Sequence, residues 1–219
     1  MDVKACRARS RPRRRSGGRR GGAFAVSDFF ALISRMRYIS RWGLMRSSIP
    51  ENVQEHSHMV AVLAHALGVI RRDIFKAPCD PGLLAAAALY HDAPEILTGD
   101  MPTPIKYHSG RISSAYHEVE RAAAEKLIEM LPVELQEVYA PLISGEVGKD
   151  EKKLLKAADR LSAYVKCVEE RKAGNLEFLS AEEQTRRRIE DMHLPEADYF
   201  LEHFMPAFGK NLDELGTMT

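Results

Sequence analysis

The run Tyr90-His91-Asp92-Ala93-Pro94-Glu95 sets an imidazole and a carboxylate side by side, interrupts a helical run at a proline and adds a second carboxylate; Asp100 adds a third shortly after. An adjacent His and Asp at the end of an apolar helix suit a metal ion better than they suit a core. Two other inward-facing groups, His56 and Asp159, complete a possible ligand set with His91 and Asp92. Two imidazoles and two carboxylates are hard-to-borderline donors, fitted to one first-row divalent ion such as Mn, Fe, Co or Zn with positions left for water and substrate. The use of such an ion is to lower the pKa of a water and to neutralise a phosphoryl oxygen. Arg41 precedes Trp42, the chain's single tryptophan. That pair either packs a loop or offers a cation and a flat ring to a phosphorylated, ring-bearing ligand.

These groups must be positioned by helices. Phe24 to about Ile39 reads as an amphipathic helix, with Phe29, Leu32, Ile33 and Met36 at helical spacing and Ser27 and Asp28 as capping candidates. A second helix spans about Glu51 to Arg71. On its wheel Val53, His56, Val60, Leu63 and Leu67 share one face, while His58 and His65 point elsewhere. Taken on that helix alone, His56 is most simply a core histidine bonded to a neighbour. Asp80 caps the third helix and Pro81 opens it; Leu84, Ala87, Ala88 and His91 then recur at i, i+3, i+4 and i+7. Pro94 disturbs the helix after Asp92. A short turn at Glu95-Ile96-Leu97 leads into the Pro-rich loop Thr98–Pro104.

Downstream, about 111–130 predicts a long helix with Ile112, Ala115, Val119, Ala122, Ala123 and Leu127 inward. A shorter helix follows Pro132 to about Ile143. Asp150 caps the next, which ends near Gly174 and buries Leu154, Leu155, Ala158, Leu161, Ser162 and Val165. Asp159 borders that face, where an unpaired carboxylate would cost several kcal/mol and so requires a basic side chain or a metal. Helices over about 180–192 and 196–207 close the domain. There is no strand pattern, repeat or second domain. The expected fold class is all-α, one helical bundle over 23–219 with a metal site between helices, behind a basic tail at 1–22.

Charge separates those two parts. Of 32 Lys and Arg and 31 Asp and Glu, nine basic residues and one acid lie in 1–22, which leaves 23 against 30, a balance of −7, for the rest. A fold that acidic is not built to clamp nucleic acid over its surface. The Arg-rich tail is expected to be disordered, either an incidental extension or an arm for RNA or DNA phosphates. No run reaches the ~20 apolar residues of a membrane span. Three cysteines without close spacing suit reduced thiols in a cytoplasmic protein.

The order His56 … His91-Asp92 … Asp159 on an all-helical chain resembles the HD-domain superfamily of metal-dependent phosphohydrolases. The runs Ile39-Ser40-Arg41-Trp42, Glu51-Asn52-Val53-Gln54-Glu55-His56-Ser57, Tyr90 through Tyr107 and Ala158-Asp159-Arg160-Leu161-Ser162-Ala163-Tyr164 resemble, more narrowly, the bacterial 5′-deoxynucleotidase family of the YfbR type. The resemblance covers the chain from about residue 24 and leaves the tail unmatched. It implies hydrolysis of deoxyribonucleoside 5′-monophosphates to deoxynucleoside and phosphate through a metal-activated water. It implies one divalent cofactor, Co2+, Mn2+ or similar, on His56, His91, Asp92 and Asp159. Glu95 would handle the water's proton and Arg41 the phosphate. The substrate would touch Arg41, Trp42, Asp100, Met101, Pro102 and Thr103 along with His56, Asp92 and Asp159, with Trp42 and Asp100 favouring deoxyribose. A cytoplasmic homodimer is the family expectation. Two rival readings are an HD phosphohydrolase for another nucleotide (a dNTP, a cyclic dinucleotide or an alarmone) and a nucleic-acid-binding protein with a structural metal.

Overall fold

The computed structural model describes residues 26–106 and 108–216 and is all-helical; among them the only extended pairing is a lone antiparallel bridge between Ser40 and Asn52. The tail at 1–22 lies outside the described residues. The first helix is shorter than its periodicity predicts. α1 covers Phe29–Ile33 and tightens at once into a 3-10 turn, Ser34–Tyr38. The chain then becomes extended at Ile39, whose carbonyl accepts the Val53 N–H at 2.9 Å. A helix continued through Ile39 would forgo that bond and the bridge beside it. Of the capping candidates, Ser27 Oγ accepts the Phe29 N–H at 3.4 Å and donates to the Met130 carbonyl, whereas Asp28 makes no side-chain cap.

α2 (Val53–Val69) opens on a capping box: Asn52 Oδ1 accepts the Glu55 N–H, and the Glu55 carboxylate accepts the Asn52 N–H. Its apolar stripe is as the wheel predicts. Val53, His56, Val60, Leu63 and Leu67 are buried, and His58 and His65 are exposed. α3 (Pro81–Tyr90) starts where Asp80 accepts the Gly82 and Leu83 N–H groups. The two helices approach closely at Gly68, where a Cβ would stand 3.0 Å from Pro81 Cα and from Leu84 Cδ1. Gly68→Ala would therefore push α3 away and shift the end that carries His91.

The remaining α-helices among the described residues are α4 (Glu95–Thr98), α5 (Thr103–Lys106), α6 (Gly110–Glu129), α7 (Val133–Ser144), α8 (Lys149–Lys172), α9 (Leu179–Glu190), α10 (Pro195–His203) and α11 (Met205–Phe208). The main core joins α2, α3 and α8 through Val60, Leu67, Leu84, Leu154 and Leu161, with α9 to α11 covering its far side. Each such side chain stabilises the fold by roughly 1.5–3 kcal/mol on burial. A smaller cluster of Phe29, Ala93, Leu127, Leu131 and Ile143 ties α1, α6 and α7 to the turn after α3. Ala93, fully buried there, pins the chain between Asp92 and Glu95.

Two expectations need correction. α6 buries Tyr116, Ala123, Ala124 and Leu127 and leaves Ile112, Ala115, Val119 and Ala122 exposed. Alanines on both flanks make that stripe ambiguous, and the amphipathic Tyr116 serves as core. α8 is capped by Gly148, not Asp150, whose carboxylate instead meets Arg71 at 3.1 Å.

The last turns of α8 hold a buried ion pair, Lys166 with Glu170. Glu170 also accepts N–H bonds from Ser48, Ile49 and the Asn175 side chain. Burial opposes its ionisation, but Lys166, Asn175 and the two amides outweigh it and hold the carboxyl at about 2. A depressed folded-state pKa stabilises above the unfolded value and is lost as pH falls through the folded one. Glu170→Gln is therefore expected to lose about 3 kcal/mol at neutral pH. Its deficit against the parent should narrow below an ordinary carboxyl pKa of about 4.5, towards about 2. Urea unfolding of both proteins from pH 7 downward checks this; a gap independent of pH would contradict it.

Candidate active site

Each candidate ligand sits on an element that fixes its direction. His56 lies on the buried stripe of α2, fully inaccessible, and its Nδ1 is 3.1 Å from Ser162 Oγ on α8. His91 closes α3, and its Nδ1 donates to the Ala88 carbonyl at 2.7 Å. In both rings Nδ1 is engaged and Nε2 is left as the outward donor, as in most metal-binding histidines. Asp159 lies one turn before Ser162 on α8 and brings Oδ1 to 3.2 Å from His56 Nε2. Donor atoms of His56, His91 and Asp159 all fall within 4.8 Å of one another, compatible with one ion. Asp92 adjoins this triad: Oδ2 is 3.2 Å from His91 Nε2 and 3.6 Å from His56 Nε2, and 3.4 Å from Arg41 Nη1.

The donor chemistry fits a divalent cation. The Nε2 atoms of His56 and His91 are buried and lack a hydrogen-bond partner of good geometry, although carboxylates face them. Burial disfavours the His91 imidazolium, but Asp92, then Asp159 and the Ala88 carbonyl, outweigh that and raise its pKa to about 9. Burial likewise opposes ionisation of Asp92 and Asp159. Asp92 is nevertheless held at about 2, chiefly by His91, with His56 and Arg41 adding to it. Asp159 is held below the usual carboxylate range, chiefly by His56. A site that attracts a proton this strongly offers the same field to a metal, which takes the proton's place.

Around the cluster, Glu95 begins α4, is 7% exposed, and leaves Oε2 without a partner. Burial first, then Asp92 and Asp100, push its pKa to about 9. Arg41 stays charged: burial opposes it, but Asp92, Asp159, Glu51 and Asp100 together outweigh burial. Asp100 follows Gly99, whose φ of +74° reverses the chain, and its carboxyl is raised by burial while Arg41 pulls the other way. Met101 and Pro102 continue that loop half-buried, and Thr103 opens α5. Trp42 leans on Phe178, with ring centroids 5.3 Å apart, and donates from Nε1 to Glu51 Oε2 at 2.8 Å. The structure thus brings His56, His91, Asp92, Asp159, Glu95, Arg41 and Asp100 into one electrostatic unit and sets Trp42 at its edge. Sequence reasoning missed Glu51 and the supporting role of Ser162. A carboxylate just before a helix reads as a dipole partner, and a serine on a buried stripe reads as packing.

Residues 28–208 match the family model described as 5′-deoxynucleotidase YfbR-like. The chain belongs to this family. It is 48% identical over 190 residues to the 5′-deoxynucleotidase of Cronobacter sakazakii and 47% identical over 190 residues to the 5′-deoxynucleotidase YfbR of Escherichia coli O1:K1. Each alignment covers 86% of this chain and 96% of the relative. Among solved structures, an HD-domain phosphohydrolase from Listeria innocua matches at a TM-score of 0.73 with 25% identity, over 83% of this chain and 88% of that one. The HD phosphohydrolase DatZ of cyanophage S-2L, solved with dA and one catalytic Zn2+ ion, shares the fold at a TM-score of 0.58 and 23% identity, over 83% and 96% of the two chains. The all-α expectation and the HD-domain fold both hold. The family is one of hydrolases, named for 5′-deoxynucleotidase activity.

Proposed function

We propose that this chain is a metal-dependent 5′-deoxynucleotidase that hydrolyses deoxyribonucleoside 5′-monophosphates to deoxynucleoside and phosphate. The observation that carries the reading is the convergence, with the Asp159 carboxylate, of two buried Nε2 atoms that lack a well-aligned hydrogen bond, beside a charged Arg41. A divalent ion held by His56, His91, Asp92 and Asp159 would lower the pKa of a water and neutralise a phosphoryl oxygen. Co2+ and Mn2+ suit these donors as Zn2+ does, since nitrogen and carboxylate oxygen discriminate weakly among them.

The protein's own groups supply the rest. Arg41 presents a planar fork whose N–H groups match two phosphate oxygens, a match a lysine cannot make. Glu95 would accept the proton of the attacking water and return one to the departing 5′ oxygen, and a dication in the site would offset the Asp92 and Asp100 charges that hold its own proton. The family resemblance supports Asp100, Met101, Pro102 and Thr103 as the sugar contacts and Trp42 as the residue that crowds the place of a 2′ hydroxyl. Catalysis is then largely positioning and charge neutralisation. The base is gripped by none of these groups, so several bases should be accepted.

A phosphate-release panel tests the reading. dAMP is expected to be cleaved at least about tenfold faster than AMP, the size of one well-placed steric or polar discrimination, and dATP and cyclic nucleotides not at all. Equal rates on dAMP and AMP would overturn the roles of Trp42 and Asp100; cleavage of dATP alone would overturn the monophosphate reading. We further infer a cytoplasmic homodimer. No helix among the described residues is long and apolar enough to cross a membrane, and Val133 and Val138 on α7 are exposed apolar side chains that self-association would cover. A monomer in sedimentation at working concentration would contradict the dimer.

A further inference from the structure

Trp42 has a backbone φ of +60°, a left-handed conformation that a bulky residue holds only when its surroundings over-determine it. Apolar packing reaches the indole only through Phe178, with ring centroids 5.3 Å apart, and does little for the rest of the loop. Leu44 and Ile49 of the same loop are largely exposed, and a cavity lined by Ile49, Glu51, Met59, Ser162 and Lys166 lies under it. Polar bonds hold most of the loop, and at its active-site end they converge on one residue. The Glu51 carbonyl accepts the Arg41 N–H at 2.9 Å, and Glu51 Oε2 accepts both Arg41 Nε at 3.3 Å and Trp42 Nε1 at 2.8 Å. The other end is fastened to the C-terminal half of α8 and to Asn175 just beyond it. Glu170 accepts the Ser48 and Ile49 N–H groups, Lys166 donates to the Ile49 carbonyl, and Asn175 donates to the Arg46 carbonyl. The helix that carries Asp159 thus also anchors the loop that carries Arg41.

We infer that Glu51 is a positioning residue that orients the Arg41 guanidinium and the Trp42 indole together through a single carboxylate oxygen, coupling phosphate placement to sugar discrimination. Its Nε contact leaves the Nη edge of Arg41 facing Asp92, where Nη1 lies 3.4 Å from Oδ2. Its Nε1 contact, with Phe178 behind the ring, leaves the indole no freedom to swing. Because a reaction is invoked, the coupling rests on the 5′-deoxynucleotidase reading; the orientation itself does not.

The two replacements of Glu51 differ in what they keep. Glu51→Ala removes both side-chain bonds. Glu51→Gln keeps a carbonyl oxygen for the indole but loses the charge that faces Arg41. Trp42 is the only tryptophan, so intrinsic fluorescence reports on this loop without interference. In the full-length protein Glu51→Ala is expected to shift the emission maximum and raise acrylamide quenching, while Glu51→Gln stays near the parent. With the divalent ion present, Glu51→Ala should lose about tenfold or more in kcat/KM for dAMP, as for a lost hydrogen bond to a charged group, together with most of the dAMP over AMP preference. Glu51→Gln should lose kcat/KM and keep the preference. The metal concentration giving half-maximal thermal stabilisation should be unchanged in both. Parent-like emission and quenching in Glu51→Ala would overturn the inference whatever the activity. A shifted indole in a protein whose parent cleaves no deoxynucleotide would uphold the orientation and refute the function instead.

Discussion

Glu95→Gln is expected to lower kcat for dAMP by about 10³-fold, in the range for removal of a positioned acid–base group, while fold and metal affinity stay intact. Glu95 is buried at the start of α4 with Oε2 unpaired, a strained situation for a group with only a packing role. Three influences raise its carboxyl and two lower it, and they do not balance: burial and the Asp92 and Asp100 charges push it to about 9, against weaker pulls from Arg41 and His91. A purely structural glutamate so placed would gain stability on becoming an amide. Glu95→Gln should therefore be as stable as the parent or more so, and nearly inactive. Metal titration followed by melting temperature, alongside steady-state phosphate release, separates the two effects. Parent-like turnover would exclude Glu95 from the proton transfers.

The second large effect is on the metal. With a divalent ion at about a hundred times its Kd, the parent is expected to gain roughly 2.7 kcal/mol of stability, seen as a rise in melting temperature. His56→Ala should lose that gain and all measurable turnover, because the proposed site takes this ring as a ligand from the centre of the α2 stripe. Acid should weaken the gain as well. Below about 9 His91 binds a proton that the ion must displace, so affinity falls as pH drops. A full thermal shift in His56→Ala would place the ion elsewhere.

Much of this site is legible in the sequence, for physical reasons. His56 stood out from His58 and His65 because period 3.6 separates one face of α2 from the others, and burial follows that face. His91 and Asp92 stood out because Pro94 ends α3 beside them. Asp159 stood out because a carboxylate on a buried face demands a cation. What stayed hidden depends on contacts between distant segments. Glu51 meets Trp42 only because Ser40 and Asn52 pair across the loop, and no local pattern encodes that bridge. The early end of α1 has the same origin, since Ile39 leaves the helix to accept Val53 N–H. The inward stripe of α6 failed for a different reason: alanines on two faces give periodicity little contrast, and Tyr116 decided the outcome. The sugar contacts proposed for Asp100 to Thr103 rest on family resemblance, not on spacing.

The most direct test of the central claim, that the His–Asp cluster performs metal-dependent hydrolysis of a deoxynucleoside monophosphate, is reconstitution. The protein is stripped with a chelator, and phosphate release from dAMP is followed as Mn2+, Co2+ or Zn2+ is returned, in the parent and in Glu95→Gln at equal metal occupancy. The expected result is no release without metal, recovery saturating near one ion per chain in the parent, and almost none in Glu95→Gln. Undiminished release from the stripped parent, or equal recovery in both proteins, would contradict it.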